Sequence, residues 1–172
     1  PVVPLRLLQQ VRAALPGVRL TVVEGPSATL AQLLEQGKLD IAVLFDSAAG
    51  AGLAALPVVE EPLLLVGAGG TLAGRTQCTL EDVAALPLLA LSRPNGIRET
   101  MERLWAAQGC SPQVVAEVNA PALLLEAVHA GVGFAVLPAC ALEDKLQQGE
   151  LDALPIAGGT LTRTVCLCSS RI

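Results

Sequence analysis

The chain has 172 residues, a formal net charge of −5 and five cysteines. This length suits one compact domain or two small lobes, and 52% hydrophobic against 16% charged residues excludes a chain that is disordered throughout. No apolar run is long enough for a membrane span, and an acidic chain without a Lys/Arg cluster is a poor candidate for binding nucleic acid by itself. The first residues lack the pattern of a signal peptide. An odd number of scattered cysteines predicts free thiols in a reducing compartment.

The first 45 residues alternate between helix and strand patterns. Pro4–Leu15 has leucines at helical spacing, and Val18–Val23 is β-branched and alternates loosely as a strand does. Ser27 suits the N-cap of a second helix, which Gly37 is expected to end in a left-handed conformation. Ile41–Phe45 is a continuous apolar run, which predicts a strand covered on both faces. This order indicates an α/β fold with parallel pairing.

A similar order returns later in the chain. Val114–Val118 predicts a strand, Pro121 the first turn of a helix, Gly131 its end, and Gly133–Leu137 the next strand. An offset of 94 residues (131 − 37) superposes Gly131 on Gly37. The two segments are either related βαβ modules or two instances of an element order that is common in α/β folds.

The central and final parts of the chain also alternate between the two patterns. The predicted elements are a strand at Glu61–Val66, a helix at Leu80–Ala85, a strand at Leu88–Leu91, a helix from Ile97 through Trp105 that Gly109 ends, a helix at Ala141–Gln147, a strand near Leu154 and a strand at Thr162–Cys168. Pro62 and Pro138 flank the central piece. Two chain crossings between two lobes are therefore expected.

Three turns each follow a predicted strand and open a helix, at residues 25–27, 92–96 and 119–121. Ligands of open α/β sheets bind beyond the carboxyl ends of the strands, and helix N-termini favour anions. Ser27, Ser92 and Asn95 could therefore hydrogen-bond a small anion, and Arg93 or Arg98 could neutralise it. Equally, the Ser and Asn residues could be ordinary helix caps, and the arginines could lie on a solvated face.

Enzyme and metal motifs are weak. His129 is the only histidine, and its position late in a helix favours packing or a dipole interaction over catalysis. Neither a catalytic triad, a dinucleotide fingerprint nor a phosphate loop is complete. The Cys166-x-Cys168 pair lacks partners at metal spacing and is read as two small side chains on one face of a strand. The adjacent carboxylates, such as Glu60 and Glu61, are read as surface charge. We therefore expect no cofactor and no metal.

Several motifs occur together in a specific order: Leu15-Pro-Gly-Val-Arg-Leu20, Glu24-Gly-Pro-Ser27, Gly37-x-Leu-Asp40, Glu61-Pro-Leu-Leu-Leu-Val66, Leu86-Pro-Leu88, Glu117-Val-Asn119 and Ala130-Gly-Val-Gly133 within Val128–Pro138. On these motifs, nearly the whole chain resembles the effector-binding domain of LysR-type transcriptional regulators. The segment Ser92–Arg98 resembles the members that regulate nitrogen assimilation.

The resemblance implies a periplasmic-binding-protein-like α/β fold with two lobes, a cleft and two crossover strands. Lobe I would comprise residues 1–62 and a return segment at 141–172, and lobe II residues 63–140. A small-molecule effector would bind in the cleft. By position, the resemblance assigns effector binding to Ser27, Phe45, Asp46, Ser92, Arg93, Asn95, Asn119 and Phe134.

The resemblance also implies partners. Full chains of this family add an N-terminal winged helix-turn-helix that binds promoter DNA, a first strand that bears a Ser/Thr loop at the effector, and a last helix, none of which is in this sequence. A homodimer or tetramer is expected, in which the first helix and the strand after it pack against the helix near Trp105 of a partner. Packing within one chain would explain the apolar stripes of these helices equally well.

The sequence thus predicts the effector-sensing domain of a cytoplasmic transcription regulator, without enzymatic activity and without contact to a membrane. A free-standing solute-binding protein for transport would share the fold but would require export. An enzyme on the same two-lobed fold is the third alternative, and turnover that depends on His129 or Cys110 would identify it.

Overall fold

The structure is a computed structural model that describes residues 2–45, 52–159 and 161–170. Its helices are α1 (Val2–Ala14), α2 (Ser27–Glu35), α3 (Leu80–Ala84), α4 (Gly96–Gln108), α5 (Pro121–His129) and α6 (Glu143–Gln147). Its strands are β1 (Ile41–Phe45), β2 (Leu53–Ala68), β3 (Leu88–Leu91), β4 (Val114–Val118), β5 (Ala135–Pro138), β6 (Leu151–Pro155) and β7 (Thr162–Ser170). A short 3-10 helix, Ala139–Ala141, follows β5.

The long strand β2 belongs to two groups of strands. Its first part, Leu53–Pro62, pairs with β7, and β7 also pairs with β1. Its second part lies between β5, which pairs from Leu63 onward, and β6, which pairs from Leu64 onward. All of these pairings are antiparallel. The chain therefore passes from one half of the molecule to the other within a single strand, at Pro62–Leu63.

The second half also contains a parallel pair, β3 and β4. A parallel bridge between Leu88 and Phe134 places the start of β5 beside the start of β3. The carboxyl ends of β3, β4 and β5 therefore lie toward the same edge. The parallel pairing expected for the first 45 residues is wrong, because β1 pairs antiparallel with β7; the parallel pair of the structure is β3 with β4.

Each half has its own apolar core. In the first half, α2 covers one face of β1 and β7 through a cluster of Ala31, Leu34, Ala42, Leu44, Leu53, Cys166 and Cys168. In the second half, one cluster gathers α3 and α4 around Leu65 and Trp105, and another gathers α5 and α6 around Val66 and Leu142. The prediction that Cys166 and Cys168 are small side chains on one buried face is confirmed.

Glycines end the helices where the sequence predicts. Gly37, Gly109 and Gly131 have φ values of 68°, 70° and 75°, a conformation that is costly for a residue with a Cβ atom. Pro121 lies in the first turn of α5, also as predicted. Asn95 caps α4, which is one of the two alternatives that the sequence leaves open. Local chemistry is sufficient to set these boundaries.

Two predictions near the start of the chain are wrong. Val18–Val23 is not a strand: no described strand pairs with it, and its large apolar side chains are 38–54% exposed. β1 is covered on one face only, because Ala42 and Leu44 are buried whereas Ile41 and Val43 are exposed. A β-branched segment without a neighbouring strand has no partner for its backbone hydrogen bonds, so nothing stabilises it as a strand. The repeat therefore extends only from α2 to β1 and from α5 to β5.

The leucines of α1 lie on the surface of the described chain. Leu5, Leu7 and Leu8 are 59%, 49% and 43% exposed. Packing among the described residues therefore does not cover these side chains. None of the helices in the described ranges combines the length and the apolar character needed to cross a membrane.

The predicted boundary at residue 141 does not coincide with the return of the chain to the first half. Leu142 and Leu151 pack with Val66 in a core cluster of the second half, and β6 pairs with the second part of β2. Ile156 still bridges to Cys78 of the second half. Only β7 lies beside β1. The reason is that β6 pairs with the second part of β2, on the side opposite to β5.

Candidate functional site

The carboxyl ends of β3 and β4 carry two of the predicted site residues. Ser92 follows β3 directly, and its backbone N–H donates to the carbonyl oxygen of Val118 at 3.0 Å. Asn119 follows β4 directly and is exposed. The parallel pairing therefore brings Ser92 and Asn119 to neighbouring strand ends, as the sequence predicted.

The N-terminus of α4 lies next to these strand ends. The Asn95 side-chain oxygen accepts a hydrogen bond from the backbone N–H of Arg98 at 3.2 Å, which satisfies one of the free donors of the first turn. Asn95 is thus the ordinary cap that the sequence left open as an alternative. Its side-chain amide N–H₂ group can still act as a donor.

Two arginines share one carboxylate on α4. Arg93 Nη2 lies 2.6 Å from Glu102 Oε2, and Arg98 Nε donates to the other Glu102 oxygen. Hydrogen bonds from Arg93 and then from Arg98 hold the pKa of the Glu102 carboxyl below its usual value. Arg98 also contacts Glu117 on β4, with 3.1 Å between Nη2 and Oε1.

The two arginines differ in burial. The side chain of Arg93 is 66% exposed, whereas that of Arg98 is 11% exposed. Arg93 therefore lies on a solvated face, as one of the two alternatives from the sequence expects, whereas Arg98 does not. Arg98 is the largely buried arginine at this junction.

A second polar group lies at the end of β1. The Arg163 guanidinium stacks on the Phe45 ring, 3.8 Å from its centroid, and pairs with Glu61. The side chains of Glu61 and Arg163 are both 13% exposed. Partial burial, followed by the neighbouring Glu61 carboxylate, raises the pKa of the Cys140 thiol to about 11. Cys140 is therefore a neutral thiol at physiological pH.

The remaining predicted residues have mixed outcomes. Ser27 is the first residue of α2 and half-buried, but Pro26 occupies the N-cap position and no side chain caps this helix. Asp46 lies outside the described residues. Phe134 precedes β5, at the opposite end of that strand from Pro138, and packs in the core against Gly67. The structure therefore does not bring Phe134 to the carboxyl ends of the strands, because the parallel bridge to Leu88 places it at their starts.

The sequence analysis does not identify Glu61, Arg163 or Glu102 as residues of the site. The prediction that Glu61 is surface charge is wrong, because its side chain is largely buried against Arg163. Nothing in the sequence connects these residues, which lie 102 positions apart. Glu102 was detectable, because it lies four residues after Arg98 on a predicted helix, a spacing that places the two side chains together.

The charged groups at the far end of α5 form a separate cluster. Lys145 lies 2.8 Å from Glu150 and 3.4 Å from Glu126, and its ammonium group is 3.3 Å from His129 Nδ1. Within the described ranges, no group of three or more His, Cys, Asp or Glu side chains could hold a metal ion. The position of His129 at the helix end agrees with the sequence prediction.

Comparison with known proteins identifies relatives across nearly the whole chain. The family model described as the LysR substrate binding domain matches residues 3–171. The HTH-type transcriptional regulator BbuR of Bordetella bronchiseptica is 31% identical over 163 residues, 93% of this chain and 50% of that protein. The nitrogen assimilation regulatory protein nac of Escherichia coli is 30% identical over 132 residues, 77% of this chain and 43% of that protein. The chain spans about half the length of these curated relatives.

Solved structures share the fold. The regulatory domain of CcmR from Synechocystis PCC6803 in complex with 2-PG has a TM-score of 0.88 at 17% identity, over 98% of this chain and 82% of that chain. The effector binding domain of QuiR in complex with shikimate has a TM-score of 0.82 at 20% identity, over 98% of this chain and 80% of that chain.

Proposed function

Because the chain belongs to the LysR substrate-binding domain family, we propose that it is the effector-sensing part of a transcription regulator. The predicted resemblance to this family is confirmed, and a nitrogen-assimilation regulator is among its relatives. The predicted periplasmic-binding-protein-like α/β fold is also confirmed. Regulators of this family are not enzymes, and the relatives do not support a free-standing solute-binding protein.

The observation that carries the proposal is the family match over residues 3–171. It is supported by polar groups at the carboxyl ends of parallel strands, where α/β folds bind ligands. We place the effector between Ser92, Asn95 and Asn119 of one half and the Phe45–Arg163 stack of the other. Family position adds Ser27, Asp46 and Arg93 to the proposed site. It also names Phe134, which we leave out because it lies at the amino-terminal end of β5. Because arginines lie at both groups, the proposed effector is a small anionic metabolite.

The proposed division of the chain follows the strand pairing. Lobe I comprises residues 1–62 and the return segment that contains β7, and lobe II begins at residue 63. The return begins after Ile156 rather than at residue 141, since α6 and β6 pack with the second half. The middle of β2 is then one crossover strand, and the second crossing lies between Ile156 and β7.

Effector binding would act by shifting the populations of two arrangements of the lobes or of the dimer. The DNA contact belongs to an N-terminal winged helix-turn-helix of the full-length regulator. The exposed leucines of α1 support a homodimer or tetramer in which α1 packs on a partner's α4. The indole of Trp105 is buried against Leu80, so the contact would use the outer face of α4. A cytoplasmic location and no contact with a membrane complete the proposal.

The test uses the full-length regulator and DNA from upstream of its own gene. Fluorescence anisotropy of that DNA is measured while fractionated small-molecule extracts of the host cell are added. At least one fraction should change DNA affinity several-fold, and mass spectrometry should find the same compound co-purifying with the protein. DNA affinity that no fraction changes, together with a protein that purifies free of small molecules, would contradict the proposal.

A further inference from the structure

One nitrogen of Arg98 is buried without a partner. Nε donates to Glu102 and Nη2 contacts Glu117, but Nη1 is buried and has no hydrogen-bond partner among the described residues. A buried donor that is left unpaired costs free energy, and a charged one costs more than a neutral one. Because native structures rarely leave such a group unsatisfied, this nitrogen indicates a position that a water molecule or a polar group of a ligand completes.

A small cavity of about 30 Å³ has Arg98 among its lining residues. Among the described residues that line it, Arg98 is the only charged one; the others are apolar and come from β3, α4 and neighbouring strands, among them Leu91, Ile97 and Val136. A cavity of this size holds one or two water-sized groups. Its volume therefore admits a small group of a ligand and not a whole metabolite.

The contact between Glu117 and Arg98 is easily displaced. The Glu117 side chain is 51% exposed, and exposed ion pairs contribute little to stability. Glu117 is also the fourth residue of β4, close to the carboxyl end at which Ser92 and Asn119 lie. A ligand that approaches this edge therefore meets a solvated carboxylate held by a buried cation.

We propose that Arg98 is the anchor for a carboxylate group of the effector, which displaces Glu117 and accepts hydrogen bonds from Nη1 and Nη2 together. This inference rests on the proposed function. It assigns the recognition of the effector's negative charge to Arg98. A carboxylate matches the planar fork of a guanidinium in a bidentate pair, which is stronger than the single 3.1 Å contact to the exposed Glu117. Exchange of one carboxylate for the other keeps the number of carboxylates in contact with Arg98 and satisfies the unpaired nitrogen.

The neighbouring polar groups are less suited to this task. Arg93 is mostly solvated, and its bond to Glu102 leaves it on the outer side of α4. The Asn95 side-chain oxygen is occupied as the helix cap. Arg98 alone combines burial, a free donor and a partner that can be released.

The experiment uses formate as the probe, because it is the smallest carboxylate. Sodium formate replaces sodium chloride at constant ionic strength, and arginine Nε–Hε and backbone amide NMR signals are followed. The Arg98 signal, assigned by its loss in Arg98→Lys, should shift saturably.

Glu117→Gln removes the competing carboxylate and should bind formate about two- to five-fold more tightly. Arg98→Lys keeps the charge but loses the fork, and the Ser92 amide should no longer respond. Arg103→Lys, an exposed change on the same helix, should behave like the wild type.

Two results would overturn the inference: an Arg98 signal that does not saturate with formate, or a Glu117→Gln variant that binds formate no more tightly than the wild type. The second needs no change to a buried residue, so a failure to fold cannot imitate it. Formate binding at Arg98 in a regulator that no metabolite affects would instead contradict the proposed function alone. A metabolite response that persists without formate binding would contradict only the role of Arg98.

Discussion

Arg163 directs both Nε and Nη2 at the same oxygen of Glu61, with a distance of 2.6 Å in each case. The two residues are directly opposite each other on β7 and β2, at the point where the chain passes between the two halves. The guanidinium also covers the ring of Phe45 at the end of β1. Three strands are thus connected by one side chain.

Loss of the Glu61 charge should destabilise the protein measurably. Glu61→Gln leaves the largely buried Arg163 without its counter-charge, and we expect the free energy of unfolding to fall by about 1.5–3 kcal/mol in urea titrations. Arg75→Gln breaks an exposed ion pair with Asp82 and serves as the control, with an expected loss below about 1 kcal/mol. Equal effects of the two changes would show that burial does not strengthen the Glu61 pair.

Adjacent leucines on α5 should respond very differently to truncation. Leu124 is 1% exposed and packs in the core with Val66, whereas Leu123 is 58% exposed. Leu124→Ala should therefore lower the free energy of unfolding by about 2–5 kcal/mol, and Leu123→Ala by less than about 0.5 kcal/mol. Thermal or chemical denaturation measures both. A large effect at Leu123 would mean that this face of α5 is covered in the protein in solution.

Gly67 should not tolerate a methyl group. A Cβ atom there would lie 2.5 Å from Thr71 Oγ1 and 2.6 Å from the Phe134 ring, so β2 or the ring must shift. We expect Gly67→Ala to cost about 1–3 kcal/mol of stability. Gly17→Ala is the control, because nothing lies within 4 Å of its added Cβ, and its stability should be unchanged or raised by up to about 1 kcal/mol. Partial rescue of Gly67→Ala by Phe134→Leu would identify the ring as the obstacle.

The contribution of Glu102 to the free energy of unfolding should decrease at acid pH. Hydrogen bonds from Arg93 and then Arg98 lower the pKa of Glu102 in the folded protein, so its contribution is complete above the unfolded value near 4.5. That contribution is lost as the pH falls through the lower folded value. The stability difference between the wild type and Glu102→Gln, from urea titrations between pH 7 and pH 3, should therefore shrink toward acid pH. Asp82 and Glu150, whose pKa values are also lowered, cancel in this difference. A difference that is constant over this range would contradict the assignment.

Several features follow from the action of a residue on its own chain neighbours, although the predicted Ser27 cap does not form. Gly37 and Gly109 end helices because they accept a left-handed backbone, and Asn95 caps α4 because its side chain reaches the next turn. The Arg98–Glu102 pair follows from helical spacing alone. These features need no knowledge of the rest of the fold.

Features that depend on distant partners could not be predicted in this way. Val18–Val23 has the composition of a strand, but a strand forms only against another edge, and no described strand supplies one. Glu61 has the same local sequence whether it faces solvent or a buried guanidinium, since Arg163 reaches it only through the pairing of β2 with β7. Family position alone assigns Phe134 to the effector, but the direction of β5 places it at the amino-terminal end of that strand, where its partly buried side chain packs against a core cluster.

The uninterrupted β2 strand limits how the two halves can move. Because its backbone is hydrogen-bonded to β7 up to Pro62 and to β5 from Leu63, a wide opening would have to break ladder bonds on one side or the other. Twisting about the strand axis costs far less, since sheets vary in twist without losing their pairing. The conformational response to the proposed effector would therefore be a small rotation of one half against the other, and not a wide opening between them.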